Sequence, residues 1–142
     1  MDHIAIMKKS WKLLPKILSG DKTIESRWYM NKSAPWDKIK AGETVYFKDS
    51  GDPVTVKAQV SEVKQFDLRH TLLSKILEQY GSKSKICLSN PDPDSPYFKG
   101  KNYCILIFLK EVEPIKPFDI NKKGFGISSA WLCVKDINTI KQ

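Results

Sequence analysis

Strict alternation of apolar and polar residues predicts strands over residues 22–30 and 54–61. In the first, one side of the strand would carry a carboxylate and a guanidinium two residues apart, and the other side would join the core. The polar side would hold Thr23, Glu25, Arg27 and Tyr29, and the core side would hold Ile24, Ser26, Trp28 and Met30. The second strand follows a turn at residues 49–53 and would form a hairpin with residues 44–48. The alternation breaks after Val60, which predicts a β-bulge where the strand bends.

Helical spacing of apolar residues predicts two helices. The first would begin near residues 12–14, with Ser10 as its N-cap, and would end at Gly20. Pro15 fits only in the first turn, where the backbone N–H has no partner, so this helix should be short. The second is predicted over residues 67–81, where an aspartate would cap the first turn and a glycine would end the last.

Further extended segments are predicted over residues 3–7, 102–112, 118–120, 125–127 and 131–134. The segment over 102–112 is mostly apolar, as is typical of a central strand, and Pro114 and Pro117 should end it. Five to six short strands with two main helices predict an α+β fold, namely a small mixed β-barrel. Because no repeat or linker divides the chain, residues 1–142 are expected to form one domain.

Hydropathy and the scarcity of metal-binding side chains exclude several classes of protein. No apolar run approaches the roughly 18 residues of a membrane span, and the first residues lack a basic leader, so we expect a cytoplasmic protein. Three cysteines, Cys87, Cys104 and Cys133, lie far apart, and the two histidines are His3 and His70. These spacings indicate neither a disulfide framework nor a zinc site. We therefore expect no metal, no cofactor and no membrane contact.

The charge of the chain favours a polyanionic partner but leaves a second explanation open. The net charge is +8, and the excess is +4 in each half, because residues 1–71 hold 13 basic and 9 acidic groups and residues 72–142 hold 11 and 7. Such a domain suits RNA or another polyanion, although a lysine-rich surface can also reflect genome composition or growth temperature. Only Arg27 and Arg69 of the 24 basic residues are arginines. An arginine among so many lysines indicates a need for its planar, forked geometry.

One short motif resembles the signature of a known family. Gly20, Lys22, Glu25 and Arg27 form the pattern G-x-K-x-x-E-x-R directly after the end of the first predicted helix, and this pattern is similar to the signature of the ASCH domain family. Agreement continues at Ile39–Tyr46, at the Phe66-Asp67 junction and at Tyr103–Leu109. The resemblance covers roughly residues 3–112, and the segment beyond Pro114 shows no match. It implies a PUA-like barrel.

The resemblance also implies a function, which is the binding of RNA or of a nucleotide, sometimes a modified one, in a cleft beside the barrel. The residues expected at that cleft are Gly20, Lys22, Thr23, Glu25, Arg27, Tyr29 and Trp36. Trp36 lies in a predicted loop beside a proline, so it is our first candidate to stack on an unpaired base, and Tyr29 is the second. A protein-interaction adaptor is a third possibility, which an exposed apolar patch away from the cleft would favour.

An enzymatic alternative comes from the same resemblance. Some small ASCH proteins are amidohydrolases that remove the acetyl group from acetylcytidine, using a lysine and a threonine of this motif and a glutamate on the later helix. Lys22 matches the lysine, Glu25 occupies the position of the threonine, and Glu78 is the nearest candidate for the helix glutamate. Thr23 or Ser26 could supply the missing hydroxyl. The alternative is therefore a small amidohydrolase that acts on acetylated cytidine or a related modified nucleoside.

The charged residues of the motif each admit two roles. Glu25 and Arg27 could form a salt bridge that closes the mouth of the barrel. Alternatively, Arg27 could bind a phosphate or a base edge while Glu25 accepts from an exocyclic amine such as N4 of cytosine. Lys22 could interact with the last carbonyls of the helix, or its ammonium could activate a nucleophile or stabilise an oxyanion. The sequence leaves both pairs of roles open.

Overall fold

The computed structural model describes residues 1–82, 85–88, 91–126 and 128–142, and within them six strands form one sheet. The strands are β1 (Asp2–Met7), β2 (Ile24–Tyr29), β3 (Thr44–Asp49), β4 (Val54–Asp67), β5 (Tyr103–Phe118) and β6 (Trp131–Val134). The helices are α1 (Leu13–Ser19) and α2 (Leu73–Tyr80), and short 3₁₀ turns occur at Lys9–Trp11, Pro96–Phe98 and Ile137–Thr139.

The sheet has the strand order β2-β5-β4-β3-β1-β6, so β2 and β6 are its two edges. All neighbours are antiparallel except β1 and β3, which run parallel. The pairing of β4 with β5 shifts register three times, and one shift lies between Val60 and Glu62, which confirms the predicted bulge. These bulges bend the two long strands, and the sheet curls into a half-barrel. The predicted α+β, PUA-like barrel is therefore confirmed.

The core divides between the inside of the curl and its outer side. Inside, buried side chains from β1, β3, β4 and β5 pack together with Leu14 and Ile17 of α1. Outside, α2 packs on β2 and β5 around Trp28 and Leu106. Trp28 is 3% exposed, which confirms that it belongs to the core. Burial of these apolar faces fixes which side of β2 faces the inside of the barrel.

The first helix ends as predicted but begins differently. Gly20 is left-handed at φ 84°, a conformation that glycine adopts without a steric penalty, and its N–H bonds the carbonyl of Ile17. The predicted N-cap at Ser10 is wrong, because Ser10 lies in the preceding 3₁₀ turn and the residue before α1 is Lys12, also left-handed. The extra turn places Trp11 on the surface.

The predicted start of the second helix is also wrong. The helix begins at Leu73, and Asp67 is instead the last residue of β4, where its Cα pairs with Tyr103. The Asp67 carboxylate accepts from the backbone N–H and the guanidinium of Arg69. An aspartate that closes a turn in this way shares the sequence pattern of an N-cap.

Two further predictions fail along the strands. Pro114 and Pro117 do not end β5, which continues to Phe118. Among the described residues, β2 pairs with β5 only up to Phe108, so the outer edge beyond is open, and the register shifts there are sites where a strand tolerates proline. Met30, predicted in the core, lies just past β2 and is 60% exposed.

The end of the chain completes the sheet. The predicted strand at 131–134 is confirmed as β6, which pairs with β1 and thereby joins the two ends of the chain. The predicted segment at 118–120 lies at the end of β5 and continues into an isolated bridge between Ile120 and Lys141. The extended segment predicted at 125–127 is wrong for residues 125 and 126, which belong to no strand, and Ile127 lies outside the described residues.

Candidate ligand-binding cleft

A cleft of about 1170 Å³ opens beside β2. Its walls come from the end of β1, the 3₁₀ turn and helix that follow, β2, and the loop segments at 86–88 and 95–97. Four cationic side chains and two carboxylates line it, namely Lys8, Lys16, Lys22, Arg27, Asp21 and Glu25. Of the predicted site residues, the cleft brings together Gly20, Lys22, Glu25, Arg27 and Tyr29.

Lys22 is buried in the wall of the cleft, with 2% of its surface exposed. Its Nζ donates to the carbonyl of Ile24 at 2.7 Å and to the carbonyl of Ile86, and it lies 3.5 Å from Oε1 of Glu25. Because an ammonium has three N–H groups, each can have a partner here. Burial lowers the pKa of Lys22, and the neighbouring Glu25 carboxylate opposes that shift.

Local backbone structure explains this burial. The Lys22 N–H bonds the carbonyl of Lys16, so the chain turns back under α1 directly after Gly20. The next two residues, Thr23 and Ile24, both donate their N–H groups to the carbonyl of Lys85. This contact draws the 85–88 segment against β2 and places the Ile86 carbonyl at the Lys22 ammonium.

Glu25 is 3% exposed and lies between the two cations of the motif. Its side chain points into the curl, because its β5 partner is Ile107, a fully buried residue of the inner core. Oε1 accepts from the backbone N–H of Ser26 at 3.0 Å, and Oε2 accepts from Nη2 of Arg27 at 3.1 Å. A buried carboxylate with this many donors is held in one orientation.

Arg27 connects β2 to the opposite edge of the sheet. Nη1 donates to the carbonyl of Ala130 at 3.3 Å, and Nη2 donates to the carbonyl of Ile6 at 3.4 Å as well as to Glu25. The guanidinium carbon lies 5.0 Å from the ring centroid of Trp131, a cation–π distance. One side chain therefore contacts β1, β2 and the start of β6, and it closes the open side of the half-barrel. The planar, forked guanidinium makes these simultaneous contacts possible, in agreement with the need that the rarity of arginine indicated.

Two tyrosine hydroxyls approach this trio from the cleft. Burial raises the pKa of Tyr29, and the neighbouring Arg27 opposes the shift. Burial also raises the pKa of Tyr97, with a further contribution from Glu25. Both tyrosines and Ser26 line the cleft and carry hydroxyl groups. The Oγ of Ser26 accepts from Nε1 of Trp28.

Aromatic and basic side chains surround the mouth of the cleft. Trp11 is 48% exposed, and its ring meets that of Tyr97 edge-on with the centroids 5.9 Å apart. Lys8 lies 5.3 Å from the centroid of Trp11, and Lys101 lies 5.5 Å from that of Tyr97. Lys16 of α1 adds another cation to the same rim.

Three of the sequence-predicted residues lie elsewhere. Thr23 is exposed at the start of β2 and is not among the residues that line the cleft. Trp36 packs partly against the inner core and contacts the ring of Tyr103 at 5.0 Å, away from the cleft. Glu78 is exposed on α2 and is likewise not part of the cleft lining. The structure thus separates these three from the buried trio of the motif.

Sequence reasoning missed Trp11 and Tyr97. Neither residue is among those that the sequence pattern and the ASCH resemblance predict for the cleft. The useful indication was local: Trp11 follows two lysines and a serine in Lys8-Lys9-Ser10-Trp11, a polar setting for a large ring. Such a setting favours an exposed position.

Two absences can be stated for the described part of the chain. No group of three or more histidine, cysteine, aspartate or glutamate side chains there is arranged to hold a metal ion. Among the same residues, no helix is both long enough and apolar enough to cross a bilayer.

Comparison with solved structures identifies the fold. The crystal structure of the ASCH protein of Zymomonas mobilis has a TM-score of 0.68 to this chain at 18% identity, and the match covers 97% of this chain and 90% of that one. The chain has the ASCH-domain fold. Two single-residue variants of the Zymomonas protein match equally well, at 18% and 19% identity with 93% and 91% of their chains covered.

The structural likeness extends beyond the residues that carry the sequence resemblance. The motif-based resemblance ended near residue 112, whereas the ASCH fold extends over 97% of the chain and so includes most of the segment beyond Pro114. That segment supplies β6, the strand whose first residue stacks on Arg27. No family model and no curated protein matches the chain.

Proposed function

We propose that this chain binds unpaired RNA or a nucleotide in the cleft beside β2. The observation that carries the proposal is the composition of the cleft, where cations outnumber carboxylates four to two around a fixed carboxylate, Glu25. Cations attract the phosphates of a nucleic acid, whereas a carboxylate inside such a site can accept from an exocyclic amine of a base. The resemblance to ASCH proteins, together with the fold, supports the same class of ligand.

The cations of the cleft divide into two groups with different roles. Lys22 and Arg27 are engaged by protein carbonyls and by Glu25, so we assign them to holding the carboxylate in place. Lys8 and Lys16 are exposed at the rim, and we assign phosphate contacts to them. A base would then enter with its polar edge toward Glu25 and the hydroxyl of Tyr29, which share one side of β2.

Fluorescence anisotropy with labelled single-stranded hexaribonucleotides, a duplex of matched sequence and mononucleotides as competitors tests this function. We expect the single strands to bind more tightly than the duplex, and their affinity to fall between about 50 and 200 mM salt. Lys16→Gln should reduce the slope of log K against log salt by about 0.7, the value for one phosphate contact to a single strand. Lys75→Gln, an exposed lysine on α2, is the matched control and should change nothing. Absence of binding to every probe at low salt would refute the proposal.

The amidohydrolase remains a second candidate, favoured by the buried pair of Lys22 and Glu25. A desolvated lysine with a lowered pKa beside a carboxylate in a cleft is a feature that active sites share. The test is release of acetate from N4-acetylcytidine, followed by NMR. The candidate predicts turnover by the native protein and its loss in Lys22→Met, with circular dichroism to establish that the variant is folded. A folded native protein that releases no acetate excludes this reaction for that substrate.

A further inference from the structure

We propose that Trp11 and Tyr97 form a second base-binding subsite at the mouth of the cleft, so that the preferred ligand is a single strand of at least two nucleotides. This inference rests on the proposed function, and it specifies the length and form of the ligand.

The first argument is the exposure of the two rings. Trp11 and Tyr97 are 48% and 38% exposed, and they adjoin each other instead of lying singly on the surface. Both line the cleft and contact each other across its mouth. An aromatic surface that is open to solvent beside a basic rim is the arrangement on which unpaired bases stack.

The second argument is that local structure restrains the backbone at both rings. Phe98, directly after Tyr97, is 6% exposed and packs against Trp28 with the ring centroids 5.0 Å apart. Trp11 is the last residue of a 3₁₀ turn, and its backbone N–H donates to the carbonyl of Lys8. Helix α1 begins two residues later. Because Tyr97 precedes a buried residue and Trp11 lies between a hydrogen-bonded turn and a helix, stacking a base on the two rings requires little ordering of the protein.

The third argument concerns charge and size. The ammonium groups of Lys8 and Lys101 lie 5.3 and 5.5 Å from the centroids of the two rings, so two cations that attract phosphates stand beside the proposed subsite. The cleft volume of about 1170 Å³ also exceeds the roughly 300–1,000 Å³ that is usual for a small-molecule site. The inner cleft and its mouth therefore offer space for two neighbouring nucleotides.

The length of the oligonucleotide is the variable that tests the inference. The probes are a mononucleotide, a dinucleotide and a hexanucleotide of the base that binds most tightly among the single strands above. We expect the native protein to bind the dinucleotide about tenfold more tightly than the mononucleotide, since stacking on one aromatic side chain has this magnitude. Tryptophan fluorescence should be quenched on binding of the dinucleotide.

Three variants and a control locate the effect. In Trp11→Ala the dinucleotide-to-mononucleotide affinity ratio should fall close to one, whereas Trp11→Phe should keep most of it because phenylalanine retains a stacking face. Lys8→Gln should weaken dinucleotide binding, and Lys9→Gln should not, because Lys9 pairs with Asp52 and does not line the cleft.

Two results would overturn the inference, and they are distinguishable. If mononucleotide and dinucleotide bind the native protein equally well, or if Trp11→Ala keeps the affinity ratio, the mouth subsite is refuted while nucleotide binding stands. If none of the three probes binds at low salt, the proposed function is refuted and the subsite with it.

Discussion

The two arginines of this protein form chemically similar pairs with opposite surroundings. In each, a carboxylate precedes the arginine by two residues: Glu25 with Arg27, and Asp67 with Arg69. The side chains of the first pair are 4% and 12% exposed, and those of the second are 25% and 61% exposed. The first pair joins opposite edges of the sheet, whereas the second closes a local turn after β4.

The comparison indicates that the geometry within an ion pair does not determine how much the pair contributes to stability. Asp67 binds Arg69 with two short bonds, 3.0 and 2.8 Å, and this guanidinium holds the pKa of Asp67 well below its usual range. Glu25 makes a single bond to Arg27, at 3.1 Å, but its other partners are a buried ammonium and a backbone N–H. Water screens the exposed pair, while removal of one member of the buried pair leaves uncompensated charge in a dry environment.

The largest expected effect is that of Glu25→Gln. The substitution leaves Lys22 and Arg27 without their carboxylate, and it should lower the free energy of unfolding by about 3–5 kcal/mol. Urea denaturation followed by circular dichroism measures this change. The matched control is Asp67→Asn, which should leave the denaturation midpoint nearly unchanged. Equal losses in the two variants would contradict the comparison.

Arg27→Lys should have a smaller but clear effect. Lysine keeps the charge but lacks the fork that reaches both Ile6 and Ala130, so we expect a loss of about 2 kcal/mol from hydrogen bonds made by a charged group. Thermal unfolding measures the loss, and hydrogen exchange should show faster exchange in β2 and β6. Arg69→Lys is the control at the exposed pair. If Arg27→Lys is as stable as Arg69→Lys, Arg27 does not close the barrel.

The smallest effect should be the pH dependence of stability that comes from His3, the hydrogen-bond partner of Trp131. His3 is fully buried, and its Nδ1 accepts from Nε1 of Trp131 at 3.1 Å, so the proton of the neutral ring lies on Nε2 and is donated to Glu43 at 2.9 Å. Burial lowers the pKa of His3, although Glu43 opposes the shift. Protonation would place an Nδ1–H against the Trp131 N–H, on the ring that stacks on Arg27.

Stability should therefore fall as the pH drops below about 6.5, the ordinary histidine value, because the unfolded chain then binds a proton that the folded protein resists. The slope cannot exceed about 1.4 kcal/mol per pH unit for one group. Denaturation midpoints between pH 7.5 and 5 measure it, and His3→Gln should flatten the dependence. Glu43 does not obscure this window: burial alone would raise its pKa, but the bonds from His3 and Lys40 lower the pKa overall, below its ordinary 4.5. A native slope that persists unchanged in His3→Gln would contradict this assignment.

Much of the fold could be predicted from local patterns, and the two failures have different causes. Gly20 as a helix end, the bulge after Val60 and the burial of Trp28 each depend on the residues immediately around them. The start of the second helix was misplaced because Asp67 closes a turn as readily as it caps a helix. Pro114 did not end its strand because the open edge beside it is a property of the whole sheet.

The candidate site was predictable only in part, because the roles of its residues depend on partners that are distant in the sequence. The motif placed Lys22, Glu25 and Arg27 together, since they lie within six residues of one strand and the turn before it. Their roles depend on distant partners: Arg27 bonds Ala130, 103 positions away, and Lys22 bonds Ile86, 64 positions away. The exposed rings at the mouth come from two separate 3₁₀ turns, at Lys9–Trp11 and Pro96–Phe98.

The sequence by itself determined the class of fold, the position of the charged motif on β2 and the overall positive charge, because periodicity and composition are local or additive properties. Only the tertiary structure decided that Glu25 is buried between two cations and that its arginine closes the half-barrel, while Asp67 and Arg69 remain at the surface. The same short pattern can take either role, because the free energy of a charge pair depends on its desolvation and on the carbonyls around it. Those surroundings exist only once distant strands have joined one sheet.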